Sequence, residues 1–267
     1  MNDLTSRTLN LIATHITTPD PESTLGSDYI SIPSISPEEA DLIRERLVKS
    51  PTFQQLTGRF NYDGEFSQIR ITKPDALINT PARWLQAQET YWKARGMLPD
   101  TYDNDVTSLC GIEFKGFNLP HTSTTKTPNF SLMPWSSLFP SIVVETGHTQ
   151  PLTDLERDKE IWKTSTNGQT KVVLITKFTK TARGTVSCFV DIHRVNGLGG
   201  VGICSRFTIF PPPPDNAEQS YPISLGEVYG GECPDGIDPD VELPFNISEL
   251  RNMCRQTMMG LNFIPDS

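Results

Sequence analysis

The sequence predicts an α/β chain (α+β by a looser definition) built on a mixed central sheet with flanking helices. Two stretches carry that expectation. In the first, residues 141–144 (SIVV) are an apolar, β-branched run, the pattern of a buried strand. The run ends on Glu145-Thr-Gly147, helical character follows Pro151, and a second β-branched run occupies residues 171–178. Strand, helix and strand with short joints make a crossover unit, which requires the two strands to lie parallel. In the second stretch, residues 186–192 and 201–209 alternate apolar with polar side chains on either side of a glycine-rich VNGLGG. That is a hairpin, and its strands are antiparallel. A sheet holding both is mixed.

The remaining elements follow in order. Residues 1–35 are rich in Thr, Ser, Pro and Asp, the composition of a mobile leader. Ser36 then opens a helix, because Pro37 suits the first helical position and Glu39 completes a capping box. Leu42, Ile43, Leu47 and Val48 make its apolar face, and Pro51 stops it. Residues 59–62 and 68–72 read as strands joined across Asp63-Gly64-Glu65. Thr80-Pro81 opens a second helix ended by Gly96, with Trp84, Leu85, Tyr91 and Trp92 spaced for core packing. Residues 98–108 read as a solvated loop, since Asp100, Asp103 and Asp105 lack the glycine and distal glutamate of an EF-hand. Residues 110–118 read as a strand with Ile112 and Phe114 on one side. Past the hairpin, residues 211–214 are a stiff proline spacer. Asn246 then caps a last helix, with Glu249 three residues on and a stripe of Ile247, Leu250, Met253 or Cys254, and Met258. These elements divide the chain into a leader (1–35), a core (36–182) and a C-terminal hairpin, spacer and helix (183–267).

Composition narrows the function. At 267 residues, 36% hydrophobic and 21% charged, the chain resembles folded globular proteins with a sizeable core. A formal charge of −9 argues against the broad basic surface that drives duplex binding, while a local basic groove stays open. Five scattered cysteines without a C-x-x-C pair argue against a zinc site or disulfide framework and fit a reducing intracellular compartment, cytoplasm or nucleus. The first residues lack a secretory signal, and no run approaches the ~20 apolar residues of a membrane span.

The usual catalytic motifs (G-x-S-x-G, P-loop, H-E-x-x-H, the kinase set) are absent. Glu145 draws the chemistry instead. A carboxylate at the end of a buried strand is costly to hide and needs a cation, a metal or strong donors. Asn129 precedes it by sixteen positions, and Asp158-Lys159 follows on the crossover helix. Oxygen ligands on neighbouring strands with a nearby lysine are a common construction for magnesium-dependent phosphodiester hydrolysis. His148 is the one histidine near Glu145 and reads as a surface loop residue. Lys171 and Lys177 flank the last strand of the unit, where they are placed to meet phosphate, although single strand-end lysines are mostly solvated.

Several segments occur in a telling order: Arg59-Phe-Asn-Tyr62, Ile69-Arg-Ile71, Lys126-Thr-Pro-Asn129, Pro140-Ser-Ile-Val-Val-Glu145-Thr-Gly147, Asp158 to Trp162, and Thr170-Lys-Val-Val-Leu-Ile175. Over residues 60–180 this set resembles the PD-(D/E)XK restriction-endonuclease-like superfamily, and especially its group of uncharacterised fungal proteins related to a bacterial family. The resemblance implies a restriction-endonuclease-like core and a magnesium-dependent endonuclease, with manganese as substitute, acting on DNA or RNA. It assigns Glu145 and Asn129 to the metal and Lys159 to the cationic helper. The chain departs from the pattern where the family has its metal-binding aspartate, because Asn129 is neutral. Gly147 stands in the lysine position of E-x-K, and the first core helix has no acid before Glu89. The expectation is therefore a nuclease-like protein with weakened or lost hydrolysis, a pseudoenzyme. The alternative is a non-enzymatic module that binds protein or nucleic acid on the same scaffold.

Overall fold

A capping box starts the first predicted helix. The Ser36 hydroxyl accepts from the Glu39 N–H at 3.3 Å, and the Glu39 carboxylate accepts from the Ser36 N–H at 3.1 Å. Two helix-end donors are satisfied in this way. The computed structural model describes residues 3–17, 28–55, 58–73, 75–195, 202–214 and 219–267. They form two units: residues 1–75 with 111–128, and residues 76–110 with 129–267.

The first unit contains α1 (Asp3–Thr17), β1 (Tyr29–Ile32), α2 (Pro37–Val48), α3 (Pro51–Gln55), β2 (Arg59–Asp63) and β3 (Gln68–Thr72). Its sheet is antiparallel in the order β1-β3-β2. The expected β2–β3 hairpin is present, with Asp63 against Gln68 at its end. The expected leader is corrected: it holds a helix and an edge strand, and Ile12 and Ile32 join Ile43, Phe60, Tyr62 and Ile71 in one core. Its few apolar residues are placed to serve a core that low average hydrophobicity concealed. On α2 the buried stripe is Ala40, Ile43 and Leu47, and Leu42 and Val48 are exposed. A helix burying positions three and four apart turns those two outward. Residues 111–128 return to this unit, where Tyr62 and Thr125 exchange backbone hydrogen bonds at 2.9 and 2.8 Å. The strand expected over residues 110–118 is reduced to one bridge, Phe114 with Lys126. Positive φ at Gly111 and Gly116 breaks the extended chain, and Ile112 is exposed.

The second unit begins with α4 (Thr80–Ala94), α5 (Tyr102–Asp105) and β4 (Val106–Leu109), followed by β5 (Phe130–Pro134) and β6 (Ile142–Gly147). Then come α6 (Leu152–Thr164), β7 (Val172–Lys180), β8 (Val186–Arg194) and β9 (Cys204–Phe210). The chain closes with β10 (Ser220–Ser224), α7 (Leu225–Val228), β11 (Glu242–Asn246) and α8 (Ile247–Gly260). Strands β4 to β9 form one sheet in sequential order. Within it only β6 and β7 pair in parallel, across the α6 crossover, so the mixed sheet and its parallel joint are as the sequence predicts.

Phe130, Leu132, Ile142, Val144, Leu174 and Ile192 face a core shared with α4 and α8. Trp84 and Trp92 are buried there against Phe245, while Tyr91 is exposed. The other face of β6 and β7 packs on α6. The expected boundary at 182 is absent, because β7 and β8 pair from Val172↔Arg194 to Lys180↔Val186. The loop expected over 98–108 contains α5 and the start of β4, and the hairpin turn 196–201 lies outside the described residues. The last helix begins as expected, with the Asn246 side chain accepting from the Glu249 N–H at 2.9 Å. Among the described residues, no helix is long and apolar enough to cross a membrane.

Candidate functional site

β6 carries Glu145 to the end of the parallel joint, where it is 5% exposed. Its carboxylate accepts from the Trp162 indole N–H at 2.8 Å. Asp158 and Trp162 are four residues apart, one above the other on the buried face of α6. That spacing lets α6 place a strong donor on Glu145 while also burying Asp158. The Asp158 carboxylate accepts from the Gln150 amide at 3.3 Å.

Asn129 reaches the same strand end from just before β5. The pairing of Phe130 with Val144, carried one step outward, sets Asn129 opposite Glu145. Its backbone N–H donates to the Val144 carbonyl at 3.0 Å, and its Oδ1 accepts from the Thr146 N–H at 2.9 Å. Its Nδ2 is buried without a hydrogen-bond partner. The amide therefore turns an unsatisfied donor to the surrounding protein where an aspartate would turn a second, anionic oxygen. A hard cation takes oxygen donors, and an NH2 group offers none. As a magnesium ligand set, Glu145 and Asn129 fit poorly.

Lys159 is drawn elsewhere. It pairs with Glu156 and, at 3.1 Å, with Glu160 on its own helix. Burial opposes its charge, but the hydrogen bonds to Glu156 and Glu160 win and hold its pKa above the ordinary range. Lys177 is the cation at the strand end. It stands against Gly147 in the parallel register, and its ammonium donates to the His148 carbonyl and, at 2.7 Å, to the Gln150 carbonyl. His148 is corrected from a surface residue to a buried one, packed edge-on against Phe263.

Gly147 has a steric reason. A Cβ placed there would lie 2.9 Å from Leu155 Cδ1 and 3.1 Å from Gln150 Cβ. A lysine at this position would begin with the same clash, which a shift of the Leu155 side chain would have to relieve. Gly147→Ala is expected to cost about 1–3 kcal/mol, the usual penalty of overpacking. Urea unfolding followed by tryptophan fluorescence measures it; an unchanged midpoint would show that Leu155 moves aside freely.

In the sequence Trp162 stood only as the end of the Asp158–Trp162 segment and Lys177 only as a strand-end lysine; neither was tied to Glu145. The four-residue spacing from Asp158 was the available signal for Trp162. For Lys177 it was the equal distance of Glu145-Gly147 and Ile175-Lys177 along two parallel strands. With this geometry, the fold and site define an α/β protein with a carboxylate and an amide at one end of a parallel strand joint. Compared with known proteins, the chain matches no family model and no curated sequence.

Proposed function

We propose that the chain is a divergent PD-(D/E)XK nuclease-like protein in which metal-dependent phosphodiester hydrolysis is weakened or lost. The observation that carries this reading is the Asn129 amide, whose Nδ2 is a buried, unsatisfied donor at the end of the Glu145 strand. The Glu145 carboxylate and the crossover that holds it support a hydrolytic ancestry, and the amide supports its decay. DNA or RNA is the substrate class for any residual activity, with magnesium or manganese as the ion supplied from solution. Five free cysteines support a reducing intracellular setting, cytoplasm or nucleus. A second reading, a non-enzymatic protein-binding module, is favoured by Trp135 and Leu138. They stand 67% and 76% exposed in the β5–β6 connection.

The test compares cleavage of single- and double-stranded DNA and RNA, with magnesium or manganese, by wild type, Glu145→Ala, Asn129→Asp and Asn129→Asp/Glu145→Ala. Wild type is expected near background. Asn129→Asp is expected to raise metal-dependent cleavage at least about tenfold, equivalent to ~1.4 kcal/mol of barrier, by returning an anionic oxygen to the site. The double variant is expected to fall back to background. A folded Asn129→Asp protein that still cleaves nothing would sink the decayed-nuclease reading in favour of the binding module. Efficient wild-type cleavage lost in Glu145→Ala would show instead that hydrolysis has survived.

A further inference from the structure

β8 and β9 bring together three side chains that the hydrolytic reading does not use. Their antiparallel register sets His193 opposite Cys204 and Asp191 opposite Arg206. Residues two apart on a strand share a face. Asp191, His193 and Cys204 therefore meet on one side of the hairpin, with one ligand atom of each within 4.8 Å of the others. The Cys204 sulfur lies 3.8 Å from His193 Nε2. The geometry points to a binding site for a divalent transition ion of the zinc class, held by Asp191, His193 and Cys204.

The donor set and its spacing carry the inference. Carboxylate oxygen, imidazole nitrogen and thiolate sulfur are the three kinds of zinc donor, bound at about 2.0–2.3 Å. Two such bonds at a tetrahedral angle hold their donors roughly 3.3–3.8 Å apart. The thiol and imidazole already stand at about that separation, and a carboxylate oxygen of Asp191 lies within 4.8 Å of both. Three protein donors leave a fourth position, which water reaches because Cys204 is exposed. The thiolate selects a borderline ion over magnesium. Paired strands also fix the donors before any ion arrives.

The surrounding charges are compatible. Arg206 takes the Asp191 carboxylate at 2.7 and 2.6 Å, but a carboxylate has about four lone-pair positions, so two remain for an ion. The Lys159 ammonium is already matched by Glu156 and Glu160. Burial first, and Lys159 second, hold the His193 imidazole below its ordinary range. Burial, and then Asp191, push the Cys204 thiol up. Binding replaces the thiol S–H bond with a sulfur–metal bond, against that upward push, and releases the proton to solvent.

The test is titration of the full, reduced, metal-free chain with cobalt(II), followed by displacement with zinc. One equivalent of cobalt is expected to produce a thiolate-to-cobalt charge-transfer band with the visible spectrum of a tetrahedral site, and zinc should abolish both. Cys204→Ser, at an exposed strand edge, is expected to fold normally by circular dichroism and to lose the band. His193→Ala and Asp191→Asn are expected to weaken cobalt binding roughly 10–100-fold, at least the range seen when a metal site loses an outer partner. Absence of the band in wild type overturns the site and leaves a thiol-to-imidazole hydrogen bond. A band that persists in Cys204→Ser assigns the ion to another cysteine. A band lost in Cys204→Ser but unweakened in His193→Ala marks adventitious binding to one exposed thiol, and also overturns the site.

Discussion

Truncation of Trp84 to alanine is expected to destabilise the second unit by about 3–5 kcal/mol, against the ~5–15 kcal/mol that typically holds a domain folded. Trp84 is fully buried, with its ring centroid 5.3 Å from that of Phe245. Its indole N–H donates to the Asn246 carbonyl at 2.9 Å. Alanine would leave a cavity and remove the donor on a carbonyl at the end of β11. Trp84→Phe keeps most of the packing and loses only the N–H, so about 1–2 kcal/mol is expected. All four tryptophans (Trp84, Trp92, Trp135 and Trp162) belong to this unit, and the three that remain report its unfolding in denaturant. Equal losses in the two variants would place the cost in the hydrogen bond and not in the core.

Removal of Asp63 is the second large effect. Asp63 and Arg70 lie diagonally across the β2–β3 hairpin, with their charged atoms 3.4 Å apart and both side chains essentially inaccessible to water. Asp63→Ala would leave the Arg70 guanidinium buried without this carboxylate, a change that costs about 3–5 kcal/mol in comparable pairs. The same carboxylate accepts from the Phe66 N–H at 3.4 Å, so the turn loosens as well. The pair itself gains little over apolar packing, since desolvation offsets attraction. Asp63→Leu combined with Arg70→Met is therefore expected to recover most of the single variant's loss. Because the first unit has no tryptophan, amide hydrogen exchange over β2 and β3 is the appropriate readout. Faster exchange in Asp63→Ala is expected, and unchanged exchange would show that Arg70 is held by its other contacts.

Much of the fold was legible because its signals are local. The Ser36 and Asn246 caps act within three residues, and both helices begin where their caps stand. The β-branched runs of β6 and β7, with a helix between, left parallel pairing as the one arrangement. β10 and β11 escaped notice because each carries a proline, and Pro222 and Pro244 face each other in the register. Proline weakens any local strand signal, and only the partner strand makes the pairing evident. α1 and β1 were concealed by a polar composition whose few apolar residues matter only once a core exists to receive them.

The candidate site divides along the same line. Sequence by itself marked Glu145 as a carboxylate too costly to bury without a partner, and only the family resemblance singled out Asn129, as the neutral residue where that family has an aspartate. Tertiary structure decided who the partners are. Trp162 donates to Glu145, Lys177 stands beside Gly147, and Lys159 turns to Glu156 and Glu160. The meeting of His193 with Cys204 likewise depends on the β8–β9 register. The reason is geometric. Caps and periodicity are settled within a turn or a strand, whereas a side chain's partner is set by the register of distant segments. A one-residue slip in that register sends every side chain to the opposite face.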